Sequence, residues 1–96
     1  MDTDLILRAH VAMHGEITKS LRFICGKYNN NTLSLIFNYS ELASSYDFSC
    51  ASTISTEMLS HYPNDTKLEE NIFKSNHASW REHLGFTLIF LMNENQ

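Results

Sequence analysis

The stretch from Lys19 to Tyr39 constrains the fold more than any other. From Thr32 to Tyr39 apolar and polar residues alternate, with Leu33, Leu35, Phe37 and Tyr39 on one side and Ser34 and Asn38 on the other. Alternation with period two over this length marks a strand with one face on a core and one nearer solvent. The preceding stretch, about Lys19 to Tyr28, sets Leu21, Phe23 and Cys25 on one face and Arg22 and Ile24 on the other. Asn29-Asn30-Asn31 between them suits a tight turn, because asparagine adopts positive φ at low cost. A β-hairpin is therefore expected.

Helical spacing flanks the hairpin. Leu5, Ala9, Ala12 and Met13 recur as one apolar face, capped by Asp2, Thr3 or Asp4 and ended by Gly15 in a left-handed turn. Arg8, His10 and His14 fall on its polar face. After the hairpin, Ser44 or Ser45 can cap a second helix with Asp47 or Phe48 in its first turn. Ala51, Ile54, Met58 and Leu59 form its apolar stripe, Tyr62 extends it, and Pro63 closes it. Serines and threonines between Ser49 and Ser60 lower the helix propensity, so packing must hold this segment. Thr66 to Lys74, with Leu68, Ile72 and Phe73, reads as a third strand. Ser75–Leu84 is polar and reads as a loop or a wandering edge. Phe86 to Asn93 is apolar on both faces and reads as a fourth strand, either central or covered by a partner. The expected fold is α+β in the order αββαββ: a four-stranded antiparallel sheet with two helices packed on one face, in one domain spanning residues 1–96.

Hydrophobic residues at 43% and charged residues at 19% fit a globular chain and exclude a disordered tail or a coiled coil. Seven Lys and Arg against eleven Asp and Glu give a net charge of −4, which argues against nucleic acid as the partner. No apolar run approaches the roughly 18 residues of a membrane span. Met1-Asp2-Thr3-Asp4 is acidic where a secretory signal is basic, so a cytoplasmic protein is expected. In that reducing compartment Cys25 and Cys50 read as two small, semi-buried thiols, although their spacing leaves a disulfide open.

Chemistry-bearing motifs are scarce. His10 and His14 stand four apart, a spacing that can share a metal, but no Cys or acid joins them with ligand spacing. They read as solvated histidines, and His77 and His83, flanking Trp80, read as surface residues. No GxSxG elbow and no glycine-rich phosphate loop occur; Gly15, Gly26 and Gly85 stand alone and suit a helix cap, a bulge and the start of a strand. Glu69 and Glu70 are neighbours on a strand, point to opposite faces and cannot share a substrate. No catalytic residue, metal ligand or cofactor is therefore assigned. What remains is a binding surface. Trp80 lies beside Arg81, and both residue types are enriched at interface hot spots; alternatively, Trp80 plugs one end of the core. Glu41, Asp47, Glu57, Asp65, Glu69 and Glu70 form either a solvated rim or a negative face for a basic protein. The candidate partner-binding residues are Glu57, Asp65, Glu69, Glu70, Trp80 and Arg81.

The pattern Leu7-Arg8-Ala9, Ala12, Gly15-Glu16-Ile17-Thr18 and Leu21-Arg22, with Ile54-x-Thr56-Glu57 closing at Pro63, is familiar. It resembles small bacterial immunity proteins encoded beside toxins, especially the CdiI-type proteins of contact-dependent growth inhibition systems. The resemblance spans about Leu5 to Pro63. It implies stoichiometric binding of a cognate C-terminal toxin domain, usually a basic nuclease, by covering its active site or a nearby surface. The expected protein is a monomer or weak dimer without enzymatic activity. Two other classes stay open: a non-catalytic adaptor that dimerises through a sheet edge, and a small enzyme using His10 and His14.

Overall fold

The computed structural model describes residues 3–92. Helix α1 spans Thr3–Met13, strands β1 and β2 span Leu21–Asn29 and Thr32–Tyr39, and helix α2 spans Ser45–Leu59. Strand β3 follows at Lys67–Lys74, then a single 3-10 turn at Trp80–Glu82 and strand β4 at Thr87–Leu91. Asn93, the last residue of the expected fourth strand, lies outside the described residues.

The hairpin forms as its turn residues dictate. Asn30 and Asn31 have φ of 51° and 59°, the left-handed pair that lets a two-residue turn match the twist of the strands. The turn is tied to the start of β3, since Lys67 N donates to Asn31 O and Asn31 Nδ2 donates to Asp65 O, each at 2.9 Å. Gly15, with φ of 79°, follows α1 as the sequence suggests.

The sheet order is β3-β2-β1-β4. Its β1–β2 and β1–β4 ladders are antiparallel, but β2 and β3 run parallel, from Thr32 opposite Lys67 to Tyr39 opposite Lys74. The expected all-antiparallel sheet is thus corrected to a mixed one. The cause lies in the connection: α2 carries the chain back along the sheet, so β3 restarts at the end where β2 began. β4 lies at an edge, so of the two readings of its apolar faces, a central strand or one covered by a partner, the first is corrected.

Both helices pack on one face of this α+β sheet. Leu5, Ala9 and Ala12 of α1 and Ala51, Ile54 and Met58 of α2 enclose Leu33, Leu35, Phe37 and Tyr39, which face the helices as their alternation predicts. Each such side chain contributes about 1.5–3 kcal/mol when fully buried. Leu21 also points at the helices, although the expected alternation grouped it with Phe23 and Cys25. A β-bulge explains the difference: Leu21 pairs with Tyr39 and Phe23 with Asn38, so Arg22 is the extra residue and the pattern skips one step. The ladder of β4 is likewise offset, with Ile24 opposite Phe90 and Cys25 opposite Leu88, and both Ile89 and Phe90 pack on the helical side.

The other face is covered as well. Phe23, Cys25 and Ile36 form a second apolar cluster under Phe73, Ala78, Trp80, Phe86 and Leu88. The polar segment after β3 is therefore a lid on the sheet and not a solvated loop. Burial of Ser34 and Asn38, the outward residues of β2, follows from this cover.

Candidate functional site

The second face can be read as rows running across the strands. Leu91, Phe23, Asn38 and Phe73 make one row, and Leu88, Cys25, Ile36 and Asn71 the next. Trp80 and Ala78 close over Phe23, Cys25 and Ile36. The remaining row, Lys27, Ser34 and Glu69, is continued by Phe86, whose ring lies 4.7 Å from Lys27 Nζ. It borders a hollow of about 260 Å³. Within it Ser34 Oγ donates to Glu69 Oε1 at 3.1 Å.

The candidate residues fall in three places. Glu69 and Glu70 lie on β3, an edge strand, with Asp65 in the turn just before it, and all three are exposed. Glu69 shares the second face with Trp80, whereas Glu70 pairs with Leu35 and takes the opposite side of the strand. Glu57 sits on α2 beside Ser52, Thr53 and Thr56, so the sheet separates it from Trp80. Trp80 is half-buried against the second cluster, with the Arg81 guanidinium 4.7 Å from its ring centre. Its ring packs against Phe23, Cys25 and Ile36 and stays half-exposed. Trp80 Nε1 is buried without a hydrogen-bond partner among the described residues.

Reasoning from sequence missed the hollow, because Lys27 and Phe86 are far apart in the chain. His83 is also placed differently from expectation: it is half-buried, 5.8 Å from the Phe23 ring and 6.3 Å from the Phe86 ring, while His77 is exposed. His10 on α1 and His14, in the turn just past its end, are both exposed. Among the described residues no group of three His, Cys, Asp or Glu is arranged to hold a metal ion.

Asp47, Cys50 and Glu16 come together at the start of α2. Asp47 Oδ2 accepts from Ser44 N at 2.8 Å, and this backbone bond holds its carboxyl below the ordinary value. Burial pushes the Cys50 thiol up, and the neighbouring Glu16 adds to the shift. On the other side of the sheet, burial raises Cys25 to about 11. Both shifts favour the neutral thiol over the nucleophilic thiolate.

No helix among the described residues is long and apolar enough to cross a membrane. No curated protein matches the chain at a significant level. The model of one protein family, described as MafI2 immunity protein, matches residues 2–94. That span takes in both helices, all four strands and the lid, so the toxin-immunity class implied by the first two-thirds of the sequence extends over the whole fold. The chain belongs to the MafI2 immunity protein family.

Proposed function

We propose that this chain is a non-enzymatic inhibitor that binds its cognate toxin in the cytoplasm and neutralises it, and that the toxin domain is a nuclease with a basic active face. The observation that carries the reading is a run of exposed carboxylates at the sheet edge, Glu69 and Glu70 side by side on β3 with Asp65 just before the strand, set between Lys67 and Lys74 at its ends. A surface that binds a polyanion must be basic, and an acidic border complements it and accelerates the encounter. Arg81 lies near this border's face of the sheet and is a second candidate contact, with Trp80 supporting it from below. Glu57 extends the acidic character to the helical side. Delivery of the toxin by cell contact, as the CdiI-type resemblance implies, belongs to the same reading.

Co-expression with the product of the neighbouring toxin gene tests it. The expected result is survival of the cells, a one-to-one complex on co-purification, and arrest of nucleic-acid cleavage by the purified toxin domain. Reversing Glu69 and Glu70 to lysine should abolish protection while the circular dichroism spectrum is unchanged. Unimpaired killing in the presence of the folded wild-type chain would overturn the reading.

A self-associating subunit is the second reading, favoured by β4, an edge strand whose Leu91 is 51% exposed. Sedimentation equilibrium separates the two, since a chain that stays monomeric at high concentration has no use for that edge.

A further inference from the structure

We infer that the hollow between Glu69 and Phe86 receives a single basic side chain, an arginine or lysine of the toxin, and that Lys27 is the resident cation it displaces. The inference rests on the immunity reading above and names the contact within it.

The geometry carries it as follows. Lys27, Ser34 and Glu69 are successive partners across β1, β2 and β3, so Lys27 and Glu69 are two inter-strand spacings apart, about 10 Å. Lys27 spends its charge on the Phe86 ring, with Nζ 4.7 Å from the centroid. Glu69 accepts from the small neutral hydroxyl of Ser34 between them. The site therefore holds an acid and an aromatic face at opposite ends of one row. A guanidinium entering over Ser34 can reach the Glu69 carboxylate and lie against the face of Phe86 in the same pose. Buried Ile36 gives the hollow an apolar floor for the alkyl stem, and exposed Asn71 offers an amide oxygen at the rim.

Charge favours a cation over an anion as the occupant. Glu69 sets a carboxylate in the hollow opposite the Lys27 ammonium, and Glu70 borders it from the other side of the edge strand. An anion approaching Lys27 would be repelled by Glu69, and would have to face the electron-rich ring that Lys27 now covers. Lys27 is exposed on a long flexible stem, so it can swing to solvent when a better-oriented cation arrives.

Affinity of the purified toxin domain for three variants tests this, with circular dichroism as the fold control. Glu69→Gln keeps the shape and the Ser34 contact but removes the charge, and should weaken binding about tenfold or more. Phe86→Leu should weaken it several-fold. Lys27→Met removes the competing cation and should leave binding unchanged or tighten it. The reciprocal Glu69→Lys should abolish binding and be rescued by an Arg→Glu or Lys→Glu change in the toxin. Weaker binding by Lys27→Met would overturn the inference in favour of an anionic occupant. Equal affinities for all three variants and the wild type would overturn it by showing that the hollow lies outside the contact, with the immunity reading intact. A wild-type chain that binds no toxin would sink both.

Discussion

Arg22 Nη1 donates to Asn38 Oδ1 at 2.6 Å, joining the extra residue of the β1 bulge to the buried polar residue opposite it. The same nitrogen faces Ser75 O at 3.0 Å and Ala78 O at 2.9 Å, so the bulge aims a guanidinium at the chain just after β3. Asn38 Nδ2 adds a bond to Ser75 O at 3.3 Å. Four polar groups thus satisfy one another beneath the lid, and the lid's own apolar residues, Ala78 and Trp80, are pulled onto Phe23, Cys25 and Ile36.

Replacing Arg22 by methionine keeps much of the stem and removes the donors. A hydrogen bond to a charged group contributes about 1.5–3 kcal/mol, and Asn38 Oδ1 and Ala78 O would lose this donor while Ser75 O keeps the bond from Asn38 Nδ2. We expect a loss of about 3 kcal/mol in urea unfolding. Emission from Trp80, the sole tryptophan, should shift to the red at the same time because the lid loosens. A stability loss with unchanged emission would show that Arg22 acts within the sheet alone.

How much of this was legible beforehand differs from element to element. The inward set Leu33, Leu35, Phe37 and Tyr39 could be read because strict alternation has one physical interpretation. The bulge at Arg22 could not, since an extra residue leaves no mark in a pattern that already mixes polar and apolar positions. The direction of β3 was present in principle: a connection containing a whole helix favours a parallel return, whereas the antiparallel expectation followed the local look of the strand. The lid was hidden by its own polarity. Many of its polar atoms are spent on internal bonds, Ser79 N to Glu82 Oε1 and Ala78 N to Ser75 Oγ among them, and Ala78, Trp80 and His83 pack on the sheet. Of the candidate contacts, the Asp65–Glu69–Glu70 grouping follows from one strand. The pairing of Glu69 with Ser34 and of Lys27 with Phe86 needed the strand order.

Asp47 makes stability depend on acid. Its carboxylate accepts from Ser44 N and Ser44 Oγ at the start of α2, and the backbone bond is the main reason its pKa lies below 3.8. A carboxyl with a depressed folded-state pKa stabilises the fold above its unfolded pKa, and that contribution is lost as pH falls through the folded value. Asp47→Ala should therefore cost about 1 kcal/mol at pH 7. The gap between variant and wild type should close as the pH is lowered below about 4. Urea unfolding at several pH values checks this; a gap that stays constant to pH 2 would mean that Asp47 acts through packing.

Gly26 has a packing requirement on the helical side of β1. A Cβ there would lie 2.9 Å from Ile89 Cδ1 and 3.0 Å from Leu35 Cδ2. Both atoms end flexible side chains, so alanine can be accommodated by small shifts at about 1 kcal/mol. Valine, with two further methyl groups, should cost about 3 kcal/mol and loosen the short β4 ladder first. Hydrogen exchange of the β4 amides beside global unfolding measures both effects. Equal stability of Gly26→Val and wild type would contradict the close approach of Ile89.

Cys25 and Cys50 lie on opposite sides of the sheet, one in the second cluster and the other on α2, and both are free. A sheet and a packed layer are separated by about 10 Å, beyond the roughly 7 Å Cα separation that a disulfide spans. The disulfide that sequence spacing left open is therefore excluded in the folded chain. Burial also governs reactivity, because only the thiolate attacks. Raising Cys25 from 9.0 to about 11 leaves, at pH 8, about a hundredfold fewer thiolates than an ordinary cysteine has. Iodoacetamide at pH 8 should thus leave native Cys25 unmodified over a period in which the urea-unfolded chain is fully alkylated. Cys50, raised chiefly by burial, should also react more slowly when folded. Mass spectrometry of the labelled peptides reads both sites separately. Native labelling of Cys25 at the unfolded rate would mean that the lid over the second face opens freely, and the same result would remove the support that Phe86 needs to hold Lys27.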